Sequence, residues 1–164
     1  QGAGVGMAVL SPDKLVPHAP LEAYVFDPQG EDWDLLLQSF SPPLPREGRV
    51  ILASFFGDVF VEALDGAVWW VNGLEARVDQ IAVDRESFEL RLEQDHLVML
   101  KTKLMEALIA EGRLLKQGMV YGLKTPRSQG GKYDPENVGA ASLAAAFAFM
   151  GAEFQRAASK DRIN

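Results

Sequence analysis

Residues 49–83 read RVILASFFGDVFVEALDGAVWWVNGLEARVDQIAV, and the turn signals inside this stretch decide the fold. Val50, Leu52 and Phe56 fall among β-branched and aromatic residues until Gly57-Asp58 interrupts them. Val59, Val61 and Ala63 then alternate with Phe60 and Glu62 as far as Asp65-Gly66. Asp-Gly between apolar runs is a strong hairpin signal, because both positions accept positive φ. A third run, residues 67–71, holds Trp69-Trp70 and ends at Asn72-Gly73, a second hairpin signal. A fourth, residues 76–83, places Val78, Gln80 and Ala82 on one face and Arg77, Asp79, Ile81 and Val83 on the other. Four strands joined by tight turns make an antiparallel meander.

Downstream, Asp84 stands at an N-cap position with Glu86 in the first turn. Phe88 and Leu92 mark a short helix. Leu97, Leu100, Leu104 and Leu108 keep one face apolar beyond it, with Lys101 and Lys103 off that face and Gly112 as the C-cap glycine. This spacing suits one kinked helix or two. Residues 140–158 carry Leu143, Phe147, Met150 and Phe154 at helical offsets among alanines that favour helix, although Phe147 and Phe149 also fit a strand alternation. The polar tail, residues 159–164, is expected to fray.

Upstream, residues 11–45 hold most of the chain's nine prolines and read as extended or looped. The exception is a short helix around residues 31–40, where Trp33, Leu36, Leu37 and Phe40 recur at helical spacing before Pro42. Gln1 to Gly6 are small and Gly-rich and read as an expression remnant or a loose start. The expected organisation is one structural domain of class α+β, with a meander of about four strands against a helical region and a C-terminal helix. Residues 1–48 form a Pro-rich wrap, 49–158 the α+β unit and 159–164 the tail.

Composition bounds the function. The chain has 164 residues, 48% of them hydrophobic, no cysteine and a formal charge of −7. The absence of cysteine removes disulfides, thiolate metal sites and cysteine nucleophiles, and is compatible with the cytoplasm. An acidic chain is a poor direct binder of nucleic acid, whose affinity comes largely from phosphate neutralisation. It suits general solubility or a basic partner. No apolar run approaches the ~18 residues of a membrane span. His18 and His96 stand outside any paired metal spacing, no serine sits in a Gly-x-Ser-x-Gly elbow, and Gly2 to Gly6 lack a Walker lysine. Asp58, Asp65 and Asp84 all have turn or cap explanations. No cofactor, metal or catalytic set is expected, and an enzyme with a scattered carboxylate site is the least favoured reading.

Two features remain as candidate binding residues. Consecutive Trp69 and Trp70 point to opposite faces of a strand. One should fill the core, while the other is covered by the N-terminal wrap or anchors a partner. The stretch 119–138, MVYGLKTPRSQGGKYDPENV, joins glycines, tyrosines and local positive charge. There Gly130 and Gly131 permit a turn, Tyr121 and Tyr133 flank it, and Asn137 closes it. Lys124, Arg127 and Lys132 could hold a small ligand or anion against backbone N–H groups, or the loop is an ordinary solvated one.

SFFGDVFVEALDGAVWWVN at 54–72, ALIAEGRLLKQGMVYGLKTP at 107–126 and GGKYDPENV at 130–138 resemble the C-terminal domain of type VI secretion DNase-immunity proteins, which occurs alone or after a GAD-like domain. The shared order covers residues 49–157. Its most specific parts are Phe56-Gly57-Asp58, Tyr121-Gly122 with Pro126, and Gly130-Gly131 with Tyr133 and Asn137. The resemblance implies a non-catalytic bacterial protein of the cytoplasm that binds a cognate toxin stoichiometrically and blocks it.

Overall fold

The computed structural model describes residues 21–163; the readings given to residues 1–6 and to His18 lie outside them. The chain is α+β. A five-stranded antiparallel sheet runs in sequence order, β1 (Val25–Phe26), β2 (Gly48–Ser54), β3 (Asp58–Ala63), β4 (Val68–Asn72) and β5 (Arg77–Ala82). The meander is present, and the Pro-rich segment adds β1 to its edge. That segment also forms α1 (Trp33–Leu36), whose N-cap Asp32 accepts from the Leu35 amide, and a 3-10 turn at Gln38–Phe40. The helical region divides into α2 (Arg85–Met99) and α3 (Thr102–Ala110). A separate ribbon pairs β6 (Met119–Leu123) with β7 (Val138–Ser142), and α4 (Leu143–Ile163) closes the chain.

The register places Phe60 opposite Trp70 and Val61 opposite Trp69, so β3 and β4 expose two different aromatic and aliphatic faces. Phe60 stacks on Trp70 at 5.7 Å between ring centroids and meets Phe88 of α2 at 5.2 Å. Hence α2 covers the Phe60 face. On the other side Leu37 and Leu44 line a cavity with Val61, which puts the Pro-rich segment over that face. α4 closes the end of the sheet. Its Phe147 meets Trp33 edge-on at 5.8 Å and its Phe154 lies 5.3 Å from Phe40.

Three local expectations need correction. Residues 140–142 are strand, because Ala140 and Ala141 pair with Tyr121 and Val120; pairing across the ribbon outweighs the helix preference of alanine. The helix starts only at Leu143, with the Ala145 amide donating to Ser142 Oγ. It then runs to Ile163, so α4 takes in residues 159–163 of the expected tail. Finally, Asn72-Gly73 is no two-residue turn. The chain makes a 3-10 turn at Gly73–Glu75 and reverses through Ala76 at φ 54°.

Gly73 thus leaves room for Met150 rather than supplying a left-handed conformation. A Cβ there would stand 2.2 Å from Met150 Sδ, and one on Gly57 would stand 2.8 Å from Met150 Cε. Met150 thus wedges α4 against the two turns at one end of the meander. By contrast Gly66 meets nothing within 4 Å but sits at φ 92°, where its hairpin needs the left-handed region.

Overpacking a filled core costs roughly 1–3 kcal/mol, so Gly73→Ala should lower the urea midpoint by an amount in that range. Met150→Ala opens space at the same point. The double variant Gly73→Ala/Met150→Ala should then be more stable than the sum of the single effects by about 1 kcal/mol or more. Strict additivity in urea unfolding would contradict the wedge.

Candidate functional site

Asp58 is the centre from which the site is built. It opens β3 directly after the Gly57 turn, and its side chain is 1% exposed. Its carboxylate accepts from Ser54 Oγ at 2.7 Å, from Trp70 Nε1 at 3.0 Å and from Lys101 Nζ at 2.8 Å. Ser54 Oγ in turn accepts from the Phe56 and Asp58 amides. A buried carboxylate needs this degree of pairing. The turn explanation from sequence accounts for its neighbour Gly57, at φ 78°, but not for Asp58 itself.

Lys101 comes from the junction of α2 and α3. The last turn of α2 closes with the Leu100 amide on the His96 carbonyl, and Thr102 Oγ1 donates to the Leu97 carbonyl. Lys101 itself is at φ 57° and ψ 44°, in a left-handed conformation unfavourable for a residue with a Cβ. That backbone turn aims its side chain inward, 9% exposed. The ammonium reaches Asp58, approaches Asn72 Oδ1 and the Met99 carbonyl at 3.5 Å each, and lies 5.8 Å from the Trp70 ring centroid.

Above this pair opens a cleft of about 590 Å³, with Trp70, Asn72, Glu75, Leu104 and Tyr133 among its walls and Leu97 and Val98 at its lip. Tyr133 OH donates to Glu75 Oε2 at 2.5 Å. Arg127 Nε donates to the same oxygen at 3.2 Å, and its guanidinium lies 4.9 Å from the Tyr133 ring centroid. Burial first, and the Glu75 carboxylate second, push the Tyr133 hydroxyl well above its ordinary range. Its proton is held on the oxygen and used to fix the loop to the cleft wall. The walls are thus mostly apolar; Lys101 is paired with Asp58 and Glu75 with Arg127, while Lys103 adds an exposed cation.

The candidate residues separate on this framework. Trp70 and Tyr133 come together in the cleft. Trp69 is half-buried on the opposite face of β4. Tyr121 is buried, packs on Phe56 and donates to the Arg113 carbonyl at 2.6 Å. Asn137 is a strut: its Oδ1 accepts from the Thr125 amide, and its Nδ2 donates to the carbonyls of Thr125 and Lys132. Lys132 is exposed. Lys124 borders a different groove, about 230 Å³, with Gly122, Phe149 and Met150.

The glycine pair has two distinct duties. Gly130 takes φ 89°, whereas a Cβ on Gly131 would lie 1.8 Å from the Thr125 carbonyl oxygen. Their amides, which an anion would need, donate to the Arg127 and Pro126 carbonyls at 3.1 and 2.9 Å. Among the described residues, no three His, Asp or Glu side chains converge as a metal site, and no helix is long and apolar enough to cross a membrane.

Sequence reasoning missed Lys101, Asp58, Glu75 and Asn72 as a set. The available signal was faint: a lysine between two leucine-bearing helical runs, at the point where periodicity left one helix or two open. Comparison with family models, with curated proteins and with solved structures finds no match.

Removing one partner of a buried ion pair costs about 3–5 kcal/mol, so Lys101→Met should destabilise by that order in urea unfolding. Lys101→Gly removes the same charge but relieves a left-handed strain of roughly 1–2 kcal/mol, and should be the milder variant. Asp58→Asn combined with Lys101→Met should recover much of the loss. Equal stability of Lys101→Met and the unsubstituted chain would contradict the pairing.

Burial raises Tyr24, beside Glu106, and Tyr121 from an ordinary value near 10 to about 12 each. Below pH 10 both are protonated in either state and their contribution is complete. As pH rises from 10 to 12 the unfolded chain ionises first, and stability falls. In pH-dependent denaturation the double variant Tyr24→Phe/Tyr121→Phe should show a shallower fall across that window; an unchanged slope would refute the assignment.

Proposed function

We propose that this chain is a non-catalytic immunity protein of the bacterial cytoplasm that binds and neutralises a cognate secreted toxin, a DNase. The observation that carries the reading is the cleft beside the α2–α3 junction. Its walls are mostly apolar, its buried ionic groups are paired through Asp58–Lys101 and Glu75–Arg127, Lys103 is exposed at its edge, and Leu97 and Val98 stand exposed at its lip. Such a concavity can accept a protein side chain without leaving a buried charge unpaired.

The −7 charge of the chain supports the same reading. A DNase must carry positive charge to hold DNA, and an acidic inhibitor is drawn to that charge while DNA is repelled. The resemblance of residues 49–157 to DNase-immunity proteins gives the partner class. The loop 124–133 supports an anion-binding function less well, since both glycine amides and Arg127 are engaged within the protein.

Co-expression with the product of the adjacent gene, which this reading requires to be a nuclease toxin, should restore growth to cells that the toxin otherwise kills, and the two chains should co-elute on gel filtration. A toxin that stays lethal and elutes alone would overturn the proposal.

A further inference from the structure

The lip of the cleft continues along α2. On this helix Phe88, Leu92 and Met99 are buried, so its core-facing side is complete without Leu90 and Leu97. Those two leucines are seven residues apart, nearly in line on the side turned away from the core. They are 57% and 46% exposed, and Val98 beside them is 82% exposed. Glu86 and Glu93 share their stripe and Glu89 borders it, all exposed. Arg91, the one arginine or lysine of α2 besides its N-terminal Arg85, lies to the flank and reaches Asp95 at 3.9 Å. Leu97, at the C-terminal end of the stripe, and Val98 beside it also line the cleft, so the stripe ends at its mouth.

The geometry points to the outward face of α2, from Glu86 to Val98, as the docking surface for a basic protein, with Leu90 and Leu97 as apolar contacts and the cleft by Trp70 as the anchor pocket. Charge complementarity selects the occupant: the stripe carries carboxylates without an intervening cation, so the partner surface must present lysines or arginines around an apolar centre. This inference rests on the immunity reading and specifies where the toxin's DNA-binding face would be held. Acidic side chains at the rim set the rate of encounter, while buried apolar contacts set the lifetime of the complex.

The test is a kinetic binding measurement with the full chain and a catalytically inactivated form of the adjacent-gene toxin that the immunity reading requires. Glu89→Lys/Glu93→Lys should slow association by about tenfold or more at low salt. Leu90→Ser/Leu97→Ser should leave association unchanged and speed dissociation by about tenfold or more. Asp34→Lys/Glu47→Lys changes the net charge equally at exposed positions away from the cleft and should match the unsubstituted chain much more closely. If the unsubstituted chain binds and all α2 variants bind alike, the surface assignment fails while the immunity reading stands. If the unsubstituted chain does not bind, both fall. Two further results would overturn the assignment: a lowered melting temperature for Leu90→Ser/Leu97→Ser without weaker binding, which means the chain covers its own stripe, or a shifted monomer–dimer equilibrium, which means a second copy covers it.

Discussion

The ion pair between Asp58 and Lys101 ties together parts of the chain that sequence order keeps apart. Asp58 belongs to the first residue of β3, Trp70 to β4, and Lys101 to the junction of two helices. One carboxylate accepts from both, and its burial makes the arrangement strict, because losing any donor leaves charge without water. The left-handed backbone at Lys101 follows from this demand. Only by turning there can the chain end α2, start α3 and send an ammonium into the sheet. A glycine would satisfy the backbone and fail the carboxylate. Strain of this kind persists where the surroundings over-determine it.

This constraint also shapes the surface. Because α2 stops at Met99, the residues just before the break, Leu97 and Val98, are left at the lip of the cleft. Beneath the cleft Lys101 is matched by Asp58, and at its wall Glu75 is matched by Arg127. The Tyr133 hydroxyl, held protonated by burial, fastens the glycine loop to Glu75. That loop now reads as a buttress for one wall. Gly131 allows the chain to cross the Thr125 carbonyl, and Asn137 holds the crossing in place.

The meander was legible because its signals are local. β3 and β4 alternate with a period of two, and Asp65-Gly66 supplies the turn that joins them. Asn72-Gly73 looks like the same signal and is not, since Gly73 yields room to Met150 from a helix seventy-odd residues later, a contact no window can show. The β6–β7 ribbon was illegible for a related reason. Its strands are short, and the alanines of β7 argue for helix until their partner strand is known. Of the candidate site, Trp70 and Tyr133 could be named from residue type. Asp58 and Lys101 could not, because an aspartate after a glycine already has a turn explanation, and a lysine between leucines reads as solvated.

The central claim is that recognition occurs at the α2–α3 junction and its cleft. Hydrogen-exchange mass spectrometry of the chain, free and with the toxin that the immunity reading requires, addresses this without altering a residue. The account predicts added protection in peptides covering residues 86–107, together with those around Asn72 and Tyr133. Protection confined to the loop 124–131 and to α4, with residues 86–107 exchanging as in the free chain, would contradict it.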